Sequence, residues 1–153
     1  MSVTVQRVLE SVREVEAGGE CLRLLVGRPG SGKSKVMREL ASMRGWEYID
    51  AQNLITEEFM DLVPKARPLE ALRIMSKIME ELNARVILLD RVQMLFAPVL
   101  NLEPLDLLRQ LSKQYTLVAA WPGNCEGGKL CLMFNGHTKY YDIVENYKII
   151  QIG

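Results

Sequence analysis

The chain has 153 residues, 48% hydrophobic and 25% charged, enough for one globular domain with a sizeable core and too little for two. Lys plus Arg and Asp plus Glu each number 19, so the formal net charge of zero draws the chain neither to nucleic acid nor to an anionic membrane. The opening "MSVTVQRVLESVREVEAGG" holds no apolar signal core and no bilayer-length run, which predicts a cytoplasmic protein without a membrane anchor.

Residues 3 to 16 set Val5, Val8, Leu9, Val12 and Val15 at helical spacing between charges, predicting an amphipathic helix that stops at Gly18-Gly19. "CLRLLVG" predicts a short apolar strand running into "RPGSG", and "KSKVMRELASM" has helical pattern and propensity. "WEYID" predicts a second strand, and "NLITEEFMDLV" a short helix or ordered loop closed by Pro64. "PLEALRIMSKIMEELNA" is the clearest helix, with Leu69, Leu72, Ile74, Met75, Ile78, Met79 and Leu82 in one broad apolar stripe. "RVILLD" reads as a parallel strand buried on both faces, "EPLDLLRQLSKQ" as a helix with Pro104 near its first turn, and "YTLVAAW" as another buried strand. "KLCLMFNGHTKYYDIVENYKIIQIG" predicts two more strands around an "NGH" turn. Strands alternating with helices predict an α/β fold, a mainly parallel sheet covered on both faces, with residues 1 to 19 as a helix leading into a core of residues 20 to 153.

Gly27, Gly32, Lys33 and Ser34 match G-x-x-x-x-G-K-[ST] in full, which makes Gly27, Arg28, Pro29, Gly30, Ser31, Gly32, Lys33, Ser34 and Lys35 a candidate phosphate loop. Glycines let the chain fold back until successive backbone N–H groups converge on phosphate oxygens, and the following helix turns its positive end to the same anion. Lys33 is expected on the β and γ phosphates and Ser34 on Mg²⁺. By chance the pattern arises on the order of once in a few hundred chains of this length, and its place between a strand and a helix makes a fortuitous glycine turn rarer still.

Asp90 ends the apolar "RVILLD", at the edge where α/β sheets bind ligands, and suits a second Mg²⁺-holding position; the alternative is a cap for the helix that follows. The strand "WEYID" between Lys33 and Asp90 makes the arrangement resemble the additional-strand ATPases, the class of AAA+ and RecA-like proteins, more than the nucleotide kinases. That class commonly has a water-activating glutamate after the aspartate, where this chain has Arg91, which cannot accept a proton at neutral pH but is able to stabilise charge or pair with a neighbouring acid. Asp50, Glu57, Glu58 and Glu126 are candidate substitutes, and surface solvation is the ordinary role of each. Asn124, after a Trp-Pro-Gly turn, is the candidate γ-phosphate sensor. Trp121 is either a packing residue or a partner anchor. Arg67, Arg73, Arg85 and Arg109 include candidate fingers for a neighbouring subunit's site. The three cysteines (Cys21, Cys125, Cys131) have no CxxC spacing, and with His137 they fit no common zinc pattern, so incidental thiols and a structural histidine are expected.

"GRPGSGKS", "VILLDRVQMLFAPVLNLEPLDLLRQLSK", "LVAAWPG" and "NGHTKYYDI" together resemble the BrxF family, small P-loop proteins of type 3 BREX bacteriophage-defence systems, over most of the chain from about residue 20. The resemblance implies a bacterial ATPase-like subunit acting with other BREX proteins, among them a methyltransferase and a phosphatase-like protein. With the chain ending soon after the fifth core strand, the helical lid of AAA+ proteins is not expected. Three functions remain: an ATPase completed by a homo-oligomer or partner, an ATP–Mg²⁺-binding switch without turnover, and a small-molecule kinase. The kinase ranks last because residues 123 to 153 contain no arginine for a lid. DNA is a partner only by the family's setting, and the neutral charge gives it no support.

Overall fold

The computed structural model describes residues 2–16, 21–134, 136–143 and 147–152, with the side chains of Val15, Glu16 and His137 also outside the description. The expected stop at Gly18-Gly19, the Asn135 of the "NGH" turn and the His137 side chain therefore lie outside it. The elements run α1 (Val3–Glu16), β1 (Leu22–Gly27), α2 (Lys33–Arg44), β2 (Glu47–Asp50), α3 (Glu57–Met60), α4 (Arg67–Leu82), β3 (Val86–Asp90), α5 (Pro104–Leu111), β4 (Thr116–Glu126), β5 (Lys129–Phe134), β6 (His137–Asp142) and β7 (Lys148–Gln151). Short 3₁₀ turns fill the connections, two of them in the segment after β3.

Five strands form a parallel sheet in the order β2-β3-β4-β1-β7. The alternation of side chains along each strand sends them to two separate cores. Leu22, Leu24, Ile87, Leu89, Leu117 and Ala119 pack with α4 and α5, whereas Leu25, Val86, Leu88, Val118 and Ala120 pack with α1 and α2. This is an α/β sheet with helices on both faces, as expected. Val5, Val8, Leu9 and Val12 supply the α1 contribution, and the buried Arg23 fastens α1 to β1 by donating to the Ser11 carbonyl from Nε (3.2 Å) and Nη2 (3.1 Å). In α4, Ala71, Ile74, Met75 and Met79 are buried but Leu69 is 80% exposed. Six residues before Met75, at about 100° per residue, Leu69 points roughly 120° away from the core and does not belong to the stripe.

The expected Trp-Pro-Gly turn is corrected to continuous strand. β4 pairs with β1 through Pro122, then leaves the parallel sheet and pairs antiparallel with β5, Gly123 opposite Leu132. β5 in turn pairs with β6, so a hairpin projects from the end of β4. Trp121 is fully buried: its ring meets Phe96 and Tyr141 edge-on at 5.5 and 5.6 Å, and its indole N–H donates to the Cys131 carbonyl at 3.1 Å. It packs the base of the hairpin and is no surface anchor. No helix among the described residues is long and apolar enough to cross a membrane.

Candidate functional site

The site begins where β1 ends. Gly27 cannot carry a side chain without displacing Ser31, whose Oγ would lie 2.3 Å from the added Cβ, because the loop folds back on the strand end. Gly30 and Gly32 adopt φ of +83° and +99°, the left-handed region that side chains disfavour. Gly32 then leads into α2 with no side-chain cap, and the first turn of α2 carries no acid. The positive helix end and its unbonded N–H groups are thus left facing the loop, the condition for an anion. Lys33 arches over the loop: its ammonium donates to the Gly27 carbonyl at 2.6 Å and the Arg28 carbonyl at 3.0 Å. Burial pushes the Lys33 pKa below the ordinary lysine value, against the opposing pull of the Asp90 carboxylate.

Across the sheet, β3 delivers Asp90 on the face that carries α2, and the carboxylate is buried. The Ser34 hydroxyl donates to Asp90 Oδ2 at 2.6 Å, joining residues 56 positions apart. Two more donors fix the carboxylate: the Tyr48 hydroxyl on Oδ2 at 2.5 Å and the Arg91 backbone N–H on Oδ1 at 2.9 Å. Tyr48 comes from β2, two positions before Asp50, which pairs in register with Asp90. Its ring lies under the Arg38 guanidinium, 5.6 Å from the centroid, and burial, with the Asp90 carboxylate beside it, raises its pKa above the ordinary tyrosine value. No motif marked Tyr48. It sits in β2, and the register between β2 and β3 brings its hydroxyl to Asp90.

Arg91 turns the chain immediately after Asp90, with φ 58° and ψ 44°. A left-handed residue with a side chain costs about 1 to 2 kcal/mol, so something must hold it. Its guanidinium pairs with Asp50 at 3.2 Å and reaches Met94 Sδ at 3.4 Å, while its carbonyl accepts from the Met94 N–H at 3.0 Å. The Asp50 carboxylate accepts from Arg91 and from the Gln52 N–H and is not among the described residues that line the cleft.

Of the residues that the sequence reading named, Pro29, Gly30, Gly32, Lys33, Ser34, Asp90 and Arg91 line one cleft of about 560 Å³. Ser31 and Lys35 line instead a neighbouring cavity of about 610 Å³ with Ser2, Glu39 and Ile152, and Gly32 borders both. Gly27 and Arg28 stand behind the loop as the acceptors for Lys33. Asn124 is not among the described lining residues. It pairs with Cys131 inside the hairpin, and its Oδ1 is buried without a donor. The wall expected to hold a polar sensor is apolar, made by Ala120, Pro122, Met133 and Phe134. Glu57, Glu58 and Glu126 are likewise not among the described lining residues. Gln93, which no motif pointed to, is.

The arginines sort by their contacts. Arg67 is a buried staple, donating to the Val99 carbonyl and, at 3.0 Å, to the Met60 carbonyl, and so is no finger for another subunit. Arg73 and Arg109 pair within their own helices with Glu70 and Asp106. Arg85 precedes β3, at the end remote from Asp90. Among the described residues no group of three or more His, Cys, Asp or Glu is placed to hold a metal, and the cysteines there are free thiols, with burial raising the pKa of Cys125 and Cys131. No family model matches the chain, and no curated protein matches it.

Proposed function

We propose that the chain is a P-loop protein of the additional-strand type that binds a nucleoside triphosphate, ATP in the first instance, with Mg²⁺. The observation that carries the reading is the Ser34–Asp90 hydrogen bond of 2.6 Å: a helix-start hydroxyl beyond a glycine loop and a strand-end carboxylate meet at the cleft that Lys33 borders. Supporting it, the strand that lies between the loop-bearing β1 and the aspartate-bearing β3 is β4, the additional strand of that class, whereas "WEYID" forms β2 at the sheet edge beyond β3 and is not that strand. The donor set fits the cation, since a hydroxyl and a carboxylate are hard oxygen ligands of the kind Mg²⁺ takes together with phosphate oxygens. Bound there, it would neutralise phosphate charge.

The chain's own groups do the rest. The N–H groups of the loop and the start of α2 surround the phosphates, and Lys33 exchanges the Gly27 and Arg28 carbonyls for phosphate oxygens, each contact charge-assisted. The adjoining cavity beyond Gly32 has room for the nucleoside. On the sequence resemblance, the protein is a subunit of a type 3 BREX defence system whose nucleotide state controls assembly or a partner's activity, with hydrolysis weak or dependent on a partner or a second copy. Binding without turnover is the second reading, favoured by the replacement of the class's glutamate with an arginine committed to a turn.

Titration of the purified chain with ATP–Mg²⁺ beside Lys33→Ala, with phosphate release followed across a wide protein concentration range, tests the reading. Lys33→Ala is expected to weaken binding by about 2 to 3 kcal/mol, the worth of a hydrogen bond between charged groups. Equal affinity in the two proteins would overturn the assignment. Turnover rising faster than concentration supports the oligomer-completed ATPase, and binding with no release at any concentration supports the switch.

A further inference from the structure

We propose that Gln93 is the water-orienting residue of the phosphate cleft, an inference that rests on the nucleotide-binding reading above. Lys33 faces phosphate, Ser34 and Asp90 hold each other and the cation position, and Arg91 is tied to Asp50. The opposite wall contributes Ala120, Pro122, Met133 and Phe134, none with a side-chain polar group able to hold water. Among the described lining residues, Gln93 is therefore the polar side chain left without an assigned task.

Its position is built. Val92 and Leu95 are buried, which fixes the 3₁₀ turn Val92–Phe96 against the core and leaves Gln93, half-buried, on the cleft side. The left-handed Arg91 supplies the reversal between Asp90 and that turn, and the Asp50 pair and the Met94 contacts lock it. Phe96, at the far end, is held edge-on against Trp121. The unfavourable backbone at Arg91 has a purpose on this account: it presents the residue two positions on to the cleft.

A glutamine amide accepts one hydrogen bond from a water and donates another, which orients the water but removes no proton. In the step, the water oxygen forms a bond to the γ phosphorus while the bond from that phosphorus to the β–γ bridging oxygen breaks, leaving the electron pair on the departing diphosphate. The water's proton passes to a γ-phosphate oxygen, so the products are the nucleoside diphosphate and inorganic phosphate, with no protein base required. Slow turnover follows, because orientation is supplied and proton removal is not.

The test is capture of ADP with aluminium fluoride, a planar mimic of the transferring phosphoryl group with water on its axis, by the full chain at several concentrations in Mg²⁺. ATP–Mg²⁺ affinity and the thermal midpoint are measured on the same samples. Gln93→Ala is expected to hold ATP within about threefold of the parent and to melt at the same temperature, yet to lose capture and any phosphate release by on the order of a hundredfold, the scale of a positioned catalytic hydrogen bond. Equal capture by both proteins overturns the proposal, and so does a parent chain that binds ATP but captures no fluoride complex. A parent chain with no Lys33-dependent ATP binding is a separate failure, that of the underlying reading.

Discussion

Replacing Tyr48 with Phe removes one hydroxyl and keeps the ring, so its consequence isolates the hydrogen bond to Asp90 from the packing under Arg38. The acceptor is 3% exposed, so water cannot freely replace the lost donor. A hydrogen bond to a charged group contributes about 1.5 to 3 kcal/mol, and the low end applies because Asp90 keeps the Ser34 hydroxyl and the Arg91 N–H. Tyr48→Phe is therefore expected to cost about 1.5 kcal/mol, or about 3 to 6 °C in the midpoint of a domain of this size. Ser34 and Tyr48 share the same carboxylate oxygen, so Ser34→Ala and Tyr48→Phe should not add. With both hydroxyls gone the buried carboxylate retains the single Arg91 N–H, and the double variant should lose about 0.5 to 1 kcal/mol more than the sum of the two. Urea unfolding of the four proteins measures the cycle. A Tyr48→Phe midpoint equal to the parent's, with additive losses, would refute the picture of a carboxylate held by three donors.

Two further outcomes follow from the same geometry. Because burial lowers the Lys33 pKa, the free site sheds its proton below the ordinary lysine range of about 10.4, and ATP–Mg²⁺ affinity should fall as pH rises through that lowered value. In the same window the unfolded chain binds more protons than the folded one, so the stability of the ligand-free protein should rise, opposite in sign to affinity. Lys33→Arg, which stays charged, should show neither trend. Gly123→Ala should unfold the hairpin or the domain at a cost of several kcal/mol, since its Cβ would lie 1.7 Å from the Cys131 carbonyl oxygen, a backbone atom that cannot step aside; circular dichroism and thermal melting of the variant decide it.

What could be read from the residues alone was whatever is local. The apolar run before Gly27, the glycine loop and the apolar run before Asp90 each announce themselves within a dozen residues, and all three elements stand where the pattern placed them. The end of β4 departs from its local sequence pattern. Pro122 and Gly123 are turn residues by habit, but Pro122 stands where the strand leaves the parallel sheet, and Gly123 is small because the Cys131 backbone crosses against it. A glycine within a strand pattern marks such a close approach, and that signal was available. Asn124 follows the strand into the hairpin and is not among the described residues of the cleft. Tyr48 and Gln93 had no signal of their own: one depends on the register of β2 against β3, the other on a left-handed arginine.

Position 91 shows how a departure from a class pattern changes meaning once its surroundings are known. Asp50 and Asp90 end neighbouring strands in paired register, so two carboxylates already face this corner of the sheet. A glutamate between them would add a third, at a cost in mutual repulsion that a nearby cation would have to offset. Arg91 brings the opposite charge, pairs with Asp50 and stabilises a backbone turn that few side chains tolerate. On the proposed reading, the residue that stands in place of the class's base holds the turn that leads to Gln93, which lines the cleft. If the proposed function holds, a site arranged in this way favours retention of the triphosphate over its rapid cleavage, because the groups proposed to clamp phosphate are present and an arginine paired with Asp50 stands where the class has its proton acceptor.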